Sequence, residues 1–335
     1  MKPIVRLLVI CSLGVLTFLG SCGPKYEINY PSGRFNDSTE NLLFVNSAYD
    51  DYNSAGPPII TVSLPLVFSS NRSTAGGKFD LIDYELYASF NQYDGTISLG
   101  AVERVYPFLF LTSYANTEHN EFGPFTSFLG GTEYFFFFAS DRSGNMDLYT
   151  SFFNDYSFTG MNPVDPTPYL NKGLSSPSYE AYAAMSKDFR QVLFCSNRHG
   201  GPEEIFRVMI PDTVEFYTWS KADTTYQADP VSQINSDARD LFPYINGNLL
   251  VFASDREGGE GGLDLYYSQW QGTDWGAPVN FGPKINTPHD ECRPVIFFAP
   301  YFDNDLMIFS SNRPGGKGGF DLYHVGIKKM MQETD

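Results

Sequence analysis

Two kinds of charged residue, arginines and carboxylic acids, recur along this chain at regular intervals, and both could take part in chemistry. The arginines end five copies of one pentapeptide, in which Phe, a small residue and Ser precede Asn or Asp and then Arg. The polar pairs that close the copies are Asn71 and Arg72, Asp141 and Arg142, Asn197 and Arg198, Asp255 and Arg256, and Asn312 and Arg313. The acids stand upstream of the copies, at Asp51, Glu121, Glu180, Asp240 and Glu291.

The repeated acids could serve glycoside hydrolysis, which uses two carboxyl groups held at a defined separation. A catalytic pair should break a repeat, however, whereas these acids recur in every unit. A repeated acid and arginine are more typical of an internal ion pair, because the planar guanidinium matches the geometry of a carboxylate. We therefore expect the arginines to stabilise the repeats, the Asn or Asp to cap the turn that follows, and no residue to be catalytic.

The sequence gives only weak signals for metal binding or catalysis. The acidic segments 141–147 and 257–264 could suit calcium, which binds several oxygen ligands, but their spacing does not reproduce an EF-hand loop. The chain has no His-Glu-x-x-His, Gly-x-Ser-x-Gly or Walker motif. The sequence therefore predicts no cofactor and no metal. A non-catalytic scaffold that binds or assembles proteins is the main interpretation, and a glycoside hydrolase or a carbohydrate-binding lipoprotein is the alternative.

The elements that would position these residues are short strands. Each pentapeptide ends an apolar strand and leads into a turn, often rich in glycine, after which a second strand begins, as at 249–252 and 263–266. Such a unit is an antiparallel hairpin, because glycine adopts the positive φ that tight turns need. The arginines are 70, 56, 58 and 57 residues apart. Four short strands in each unit predict an all-β fold, a β-propeller with five blades, and the longer first interval leaves six blades as the alternative.

The ends of the chain are expected to close the ring. The last hairpin ends near Lys328, which leaves its blade one strand short. The apolar segment 41–45 precedes the first acid, where the other units carry their fourth strand. We expect this segment to pair beside the strand at 320–326, which would remove a free sheet edge.

The pattern Asn/Asp-Arg-x-Gly-Gly followed by Phe-Asp-Leu-Tyr, complete at 312–323, resembles a known family. It is similar to the WD-repeat-like repeats of TolB-type propellers and of many envelope lipoproteins of the Bacteroidetes type. The resemblance covers about residues 40–328. It implies a propeller of the bacterial envelope that binds protein or peptidoglycan-linked partners.

The first residues predict export and lipid attachment. Lys2 and Arg6 precede the apolar segment 7–20, which is shorter than the roughly 20 residues of a membrane span and is typical of a secretory signal. The sequence Leu-Gly-Ser-Cys that ends at Cys22 resembles the lipobox of bacterial lipoproteins, which implies cleavage before Cys22 and lipid on that cysteine. A chance cysteine after an ordinary signal peptide is the alternative.

These observations divide the chain into four parts. We expect a signal peptide at 1–21, a lipidated tether at 22–40, one propeller domain at 41–328 and a tail at 329–335. The protein would be attached to the outer membrane through Cys22, on the periplasmic side or at the cell surface.

The charge and the remaining cysteines restrict the partners further. The chain has 22 Lys and Arg against 39 Asp and Glu, a formal charge of −17, and removal of residues 1–21 would make it −19. A surface this negative repels phosphate, which disfavours nucleic acid as a partner. Cys195 and Cys292 stand in different repeats and in apolar surroundings, so we expect two buried thiols rather than a disulfide.

The interval between Arg72 and Arg142 is the longest of the four, and its added residues indicate a binding surface. Its added residues must emerge as a loop or as extended strand, and insertions in repeat folds often form the binding face. The aromatic residues of this insertion that could contact a partner are Tyr106, Phe108, Phe110 and Tyr114. We expect the loop within 88–120 to contact a protein partner in the envelope, because Tyr and Phe anchor protein interfaces. A polar rim would consist of Asn116, Glu118 and Asn120. The alternative is that the aromatic residues fill the core of the first blade.

The lipobox resemblance yields a direct prediction. Mass spectrometry of the mature protein should find an N-terminal cysteine that carries lipid, and the Cys22→Ala protein should leave the membrane fraction. An unmodified N-terminus, or a Cys22→Ala protein that stays in membranes, would contradict it.

Overall fold

The computed structural model describes residues 29–56, 63–103, 108–130, 133–154 and 166–330. These residues form five antiparallel sheets of four strands each. The signal segment 1–21, Cys22, Tyr106 and residues 331–335 lie outside the described residues, so the predictions made for them stay predictions. Within the described part, no helix combines the length and the apolar composition needed to span a membrane.

The strands follow the chain blade by blade, except that β1 (Glu40–Asn41) belongs to the last blade. Blade 1 contains β2 (Asp51–Ala55), β3 (Ser63–Ser70), β4 (Asp80–Phe90) and β5 (Ile97–Glu103). Blade 2 contains β6 (Glu121–Gly130), β7 (Glu133–Ser140), β8 (Asp147–Asn154) and β9 (Tyr169–Leu170). Blade 3 contains β10 (Glu180–Met185), β11 (Gln191–Ser196), β12 (Glu204–Met209) and β13 (Asp229–Pro230).

The last two blades repeat the same order. Blade 4 contains β14 (Asp240–Asn246), β15 (Leu249–Ser254), β16 (Asp264–Gln269) and β17 (Val279–Asn280). Blade 5 contains β18 (Glu291–Phe297), β19 (Asp305–Ser311) and β20 (Asp321–Ile327), with β1 as its fourth strand. The first strands of the blades contact one another in order, and β18 contacts β2. The ring therefore closes with five blades, which confirms the predicted fold and excludes the sixth blade.

The core lies between the blades. Every residue of β14, β15, β18 and β19 is buried, because each sheet is covered by a neighbouring blade on both faces. Strands buried on both faces read as continuous apolar runs rather than as alternating patterns. The phenylalanines that open the pentapeptides are all fully buried, at Phe68, Phe138, Phe194, Phe252 and Phe309.

The first strand of each blade has the same irregularity two residues after its acid. The pairing register shifts there, and the backbone φ is positive at all five positions, from 48° to 59°. The five residues are Asn53, Gly123, Tyr182, Phe242 and Arg293. Such a bulge bends a strand and re-aims its side chains. Four of the five carry a side chain in a conformation that costs roughly 1–2 kcal/mol each, so the fold imposes it.

Ring closure is confirmed, with different bounds from those predicted. Glu40 pairs with His324 and Asn41 with Tyr323, and the Leu42 N–H donates to Leu322 O at 2.9 Å. Residues 43–45 form a turn instead of continuing the strand. The turn returns Asn46 to β20.

Asn46 holds the closing strand in place. Its Oδ1 accepts the Leu322 N–H at 2.9 Å, and its Nδ2 donates to Leu322 O at 2.8 Å. The buried amide of Asn46 therefore ties the segment that follows β1 to β20, the last strand of the described chain.

The insertion in the first interval has a different structure from the one predicted. Part of it lengthens β4 and β5, and another part forms the helix α1 (Phe108–Ala115) between blades 1 and 2. A second short helix, α2 (Phe216–Ser220), lies between β12 and β13. The expectation of a loop or extended strand was therefore wrong for Phe108–Ala115. A helix forms its backbone hydrogen bonds between its own residues, apart from groups in its first and last turns, so α1 can cross the surface without a strand partner.

Replacing Asn46 tests the closure. In the Asn46→Ala protein the Leu322 N–H loses its acceptor, which should lower the free energy of unfolding by about 1–3 kcal/mol. Because β1 is only two residues long, amide hydrogen exchange should also become faster along β20.

The control is Asn235→Ala, which removes the same pair of hydrogen bonds from Ile205 within a continuous part of the chain. It should lower stability without faster exchange in β20. Exchange of β20 at the wild-type rate in Asn46→Ala would contradict closure by this strand.

Candidate functional site

The pentapeptides define one face of the propeller. The loops that follow them, 71–79, 141–146, 197–203, 255–263 and 312–320, lie where the first strands of the blades begin. We call this side the motif face and the other side the opposite face. All five arginine and acid pairs lie at the motif face.

Each arginine forms a clasp with the acid of its own blade. In blade 5, Arg313 Nη2 donates to Glu291 Oε1 at 3.0 Å and to Ile285 O at 2.7 Å. Its Nε donates to Ser311 Oγ at 3.1 Å. The guanidinium also lies over two rings, 5.1 Å from the centroid of Phe309 and 5.0 Å from that of Tyr323. One side chain thus connects three strands and the turn before the blade.

The same clasp occurs in every blade. The ion pairs are Arg72 with Asp51, Arg142 with Glu121, Arg198 with Glu180, Arg256 with Asp240, and Arg313 with Glu291. All five carboxylate side chains are 0% exposed, and the arginine side chains are 13–18% exposed. A substrate cannot reach the acids, so this arrangement disfavours the hydrolytic role considered from the sequence.

A serine or threonine that stands four residues before each acid donates further hydrogen bonds to its carboxylate. Glu291 accepts hydrogen bonds from the Thr287 N–H at 2.8 Å and from the Thr287 hydroxyl at 2.6 Å. Burial nevertheless raises the pKa of Glu291 and of Glu121 above the usual range, and the hydrogen bonds and the arginine only partly offset this. The charged carboxylate therefore depends on all its partners.

The side chain of the Asn or Asp in the pentapeptide was expected to cap the turn that follows it, but it bonds to the start of the first strand of its blade instead. Its side-chain oxygen accepts the backbone N–H of the residue just before the acid of the same blade, as between Asn312 and Asp290 at 2.9 Å. The other four pairs are Asn71 with Asp50, Asp141 with Asn120, Asn197 with Tyr179, and Asp255 with Arg239. The side chain thus ties the end of the second strand to the start of the first.

A second repeated amide was missed from the sequence. In four blades an Asn stands five residues before the acid. Its side-chain amide accepts the N–H and donates to the C=O of one residue, which lies in the third strand of the preceding blade. These residues are Asn46, Asn116, Asn235 and Asn286. Ser175 stands at this place before Glu180. The constant distance of five residues from the acid is the signal that could have found them.

The segments considered for calcium make ordinary hydrogen bonds. Asp147 Oδ2 accepts the Ser143 hydroxyl at 2.6 Å, and Asp264 Oδ2 accepts the Glu260 N–H at 2.6 Å. Among the described residues, no three His, Cys, Asp or Glu side chains are grouped so that they could hold a metal ion.

The predicted contact residues divide between the core and the surface. Phe108 and Leu111 of α1 are buried, and Phe108 packs edge-on against Tyr134 at 5.7 Å. Phe110 and Tyr114 are 44% and 48% exposed. The core interpretation is therefore confirmed for the buried side of the helix, and contact with a partner stays a prediction for the exposed side.

Two of the three predicted rim residues have structural partners. Asn116 bonds to Leu81, and Asn120 donates to Asp141 Oδ2 at 2.8 Å. Glu118 is exposed beside them. The exposed apolar side of α1 consists of Leu109, Phe110 and Tyr114.

The two remaining cysteines are as predicted. Cys195 and Cys292 are buried and unbridged. Burial raises the pKa of the Cys195 thiol to about 12, and it raises the pKa of the Cys292 thiol as well. Both thiols are therefore neutral and unsuited to nucleophilic attack.

Comparisons with known proteins find similarity in fold. The sequence matches no protein-family model and no curated protein. The catalytic domain of a GH62 α-L-arabinofuranosidase from Coprinopsis cinerea matches 89% of this chain and 98% of its own length, with 10% identity and a TM-score of 0.50. An endo-arabinase from Bacteroides thetaiotaomicron matches 90% and 99%, with 13% identity and a TM-score of 0.47. TolB from Acinetobacter baumannii matches 83% and 55%, with 11% identity and a TM-score of 0.37.

Replacing a clasp arginine tests its structural role. Arg256→Met leaves the buried Asp240 without its charge partner, which should lower the free energy of unfolding by about 3–5 kcal/mol. The control Arg239→Met removes an arginine that is 47% exposed and pairs with Asp255, and it should cost less than about 1 kcal/mol. Chemical denaturation measures both. Equal stability of Arg256→Met and the wild type would assign the arginine another role.

Proposed function

We propose that the chain is a non-catalytic, lipid-anchored β-propeller of the bacterial cell envelope that binds a protein partner through the exposed side of α1. The observation that carries this proposal is the apolar surface of α1. Among the described connections between successive blades, only the one from blade 1 to blade 2 forms a helix, and this helix is α1.

The exposed side of α1 has the composition of an interface. Leu109, Phe110 and Tyr114 expose 37%, 44% and 48% of their surface, although the same helix buries Phe108 and Leu111. Aromatic and large apolar residues supply most of the binding energy at the centre of protein interfaces. The buried side of α1 fixes the helix, so its exposed side is presented in one orientation and little ordering is needed on binding.

The surroundings of α1 indicate the charge of the partner. The carboxylates of Glu103 and Glu118 are exposed near the two ends of the helix. A crevice of about 310 Å³ beside the helix is lined by Glu103, Asp83 and Arg72, among other residues, and the charge of Arg72 is matched by the buried Asp51. The whole chain carries a formal charge of −17. We therefore infer a partner with an apolar patch bordered by lysine or arginine, because opposite charges favour encounter and correct orientation.

The proposed anchor would leave α1 accessible. Residue 29 is the first described residue, and the N–H groups of Asn29 and Tyr30 donate to Gln92 O at 3.1 and 3.0 Å, in the turn between β4 and β5. That turn lies on the opposite face. Residues 22–28 span at most about 25 Å, so a lipid on Cys22 would hold the opposite face towards the membrane. The motif face and α1 would then point away from it.

The burial of the five acids supports the non-catalytic part of the proposal. Glycoside hydrolysis needs a carboxyl group that protonates the leaving oxygen and a second one that acts on the sugar. The five acids are enclosed, and each is held by an arginine. The fold shared with the GH62 enzyme keeps hydrolysis as the second candidate function. Release of arabinose from an α-L-arabinofuranoside by the purified wild-type protein would decide for it.

Substitutions in α1 test the docking surface. Leu109→Ser combined with Tyr114→Ser should reduce recovery of the partner from solubilised envelopes at least tenfold, with a Tm within a few degrees of that of the wild type, because neither side chain belongs to the buried core. Quantitative mass spectrometry of the captured proteins measures the recovery.

The matched control is Met209→Ser combined with Tyr301→Ser, which removes two apolar side chains that are 60% and 66% exposed elsewhere. Recovery should stay at the wild-type level. Equal recovery with the α1 variant and with the wild type would reject α1 as the docking surface.

A further inference from the structure

The five bulge residues with positive φ lie on the innermost strands, around the axis of the propeller. Four of them, Asn53, Gly123, Tyr182 and Phe242, are neutral. The fifth is Arg293 of blade 5, whose side chain is 2% exposed. A charged residue at this depth needs partners.

Arg293 extends across the axis to the far side of the ring. Its Nη2 donates to Pro124 O at 2.6 Å, and Gly123 O and Ala183 O each lie 3.4 Å from the same nitrogen. Blade 5 is thereby joined to blades 2 and 3. The guanidinium also lies 5.9 Å from the centroid of the Tyr182 ring. Gly123 leaves room for this arrangement, because a Cβ there would overlap the ring of Tyr182.

Among the residues that the structure describes, none supplies a negative charge to Arg293. Unlike the five clasp arginines, it forms no ion pair with any described residue. The ionisable groups around it are Cys195, Tyr182, Cys292 and Tyr244. Burial raises the pKa of all four, to about 12 for Cys195 and for Tyr182, so they are neutral at pH 7.

Arg293 itself stays charged. Burial lowers its pKa to about 10, which still leaves the guanidinium protonated at neutral pH. Its Nη1 is buried and has no hydrogen-bond acceptor among the described residues. A buried charge without a counter-charge is strongly destabilising, and so is a buried donor without an acceptor. Carbonyl groups satisfy Nη2 but supply only dipoles.

We infer that the protein binds one compact monovalent anion, a halide or a small carboxylate, at Nη1 of Arg293, between the innermost strands of the blades. The anion supplies both the missing acceptor and the missing charge. A water molecule would supply only the first, and a cation would be repelled by the guanidinium. The hydroxyl groups of Ser54 and Thr126 on the first strands of blades 1 and 2 are also buried without a hydrogen-bond partner in the described part, so further donors are present on these strands.

Bromide is a direct probe, because its anomalous scattering distinguishes it from water. Crystals of the wild-type protein soaked in sodium bromide should show an anomalous peak within hydrogen-bonding distance of Arg293 Nη1. Formate should remove the peak by competition if a carboxylate binds in the same place. A peak that formate does not reduce restricts the site to halides. A site that contains water only would overturn the inference.

Thermal unfolding gives an independent measurement. Comparison of sodium bromide with sodium isethionate at equal ionic strength separates binding from screening, since isethionate is larger. The Tm should rise by about 3 °C for each tenfold increase in bromide above its Kd. This rise should disappear in Arg293→Met. It should persist in Arg207→Met, a variant with the same loss of charge at a partly exposed arginine that pairs with Asp274.

Two results of the thermal experiment would overturn the inference. One is an equal Tm in bromide and isethionate for the wild type, and the other is the same bromide dependence in Arg293→Met. If Arg293→Met does not fold, the anomalous peak in the wild-type crystal decides alone.

Discussion

The structure depends on the ion pair between a fully buried carboxylate and the arginine that ends each pentapeptide. The carboxylate stands at the start of the first strand and the arginine after the second, while the same guanidinium reaches the turn before the blade and the ring of the third strand. In blade 5 these contacts connect Glu291, Arg313, Ile285 and Tyr323. A buried charge must be matched, and this arrangement satisfies the acid and the arginine of each blade together.

This constraint separates the residues that build the propeller from those that can act. The repeated acids, arginines and amides are occupied by one another, which removes them from chemistry. What remains are the departures from the repeat, namely the helix α1 and Arg293. One is an apolar surface at the periphery and the other is a charge on the axis. Because all five blades contain the clasp, one blade can carry a helix or a buried arginine at a position where the others do not, without loss of the fold.

The repeat made most of the fold predictable. The pentapeptide fixed the number of blades because its five members occupy equivalent positions, and the apolar segment near Leu42 indicated closure. The helix α1 was not predicted, because a run such as Phe108–Leu111 is apolar on all sides and has no helical period. It becomes amphipathic only when one side packs against blades 1 and 2.

The site on the axis was hidden for a different reason. Arg293 follows Cys292 in a strand and looks like an ordinary surface arginine, and its equivalents in the other blades are an Asn, a Gly, a Tyr and a Phe. Only the bulge shared by the five strands shows that these positions are equivalent. Asn46 and its counterparts were missed because an Asn in a turn is common, although their distance from the acid is constant.

The most direct measurement of the central claim is a double-mutant cycle on Arg256 and Asp240 of blade 4. If the pair is a structural clasp, Arg256→Met combined with Asp240→Leu should be more stable than Arg256→Met alone, because the second change removes the buried carboxylate that the first one leaves unpaired. If the two substitutions instead lower the free energy of unfolding by the sum of their separate effects, the acid and the arginine act independently and the account of the blades is wrong.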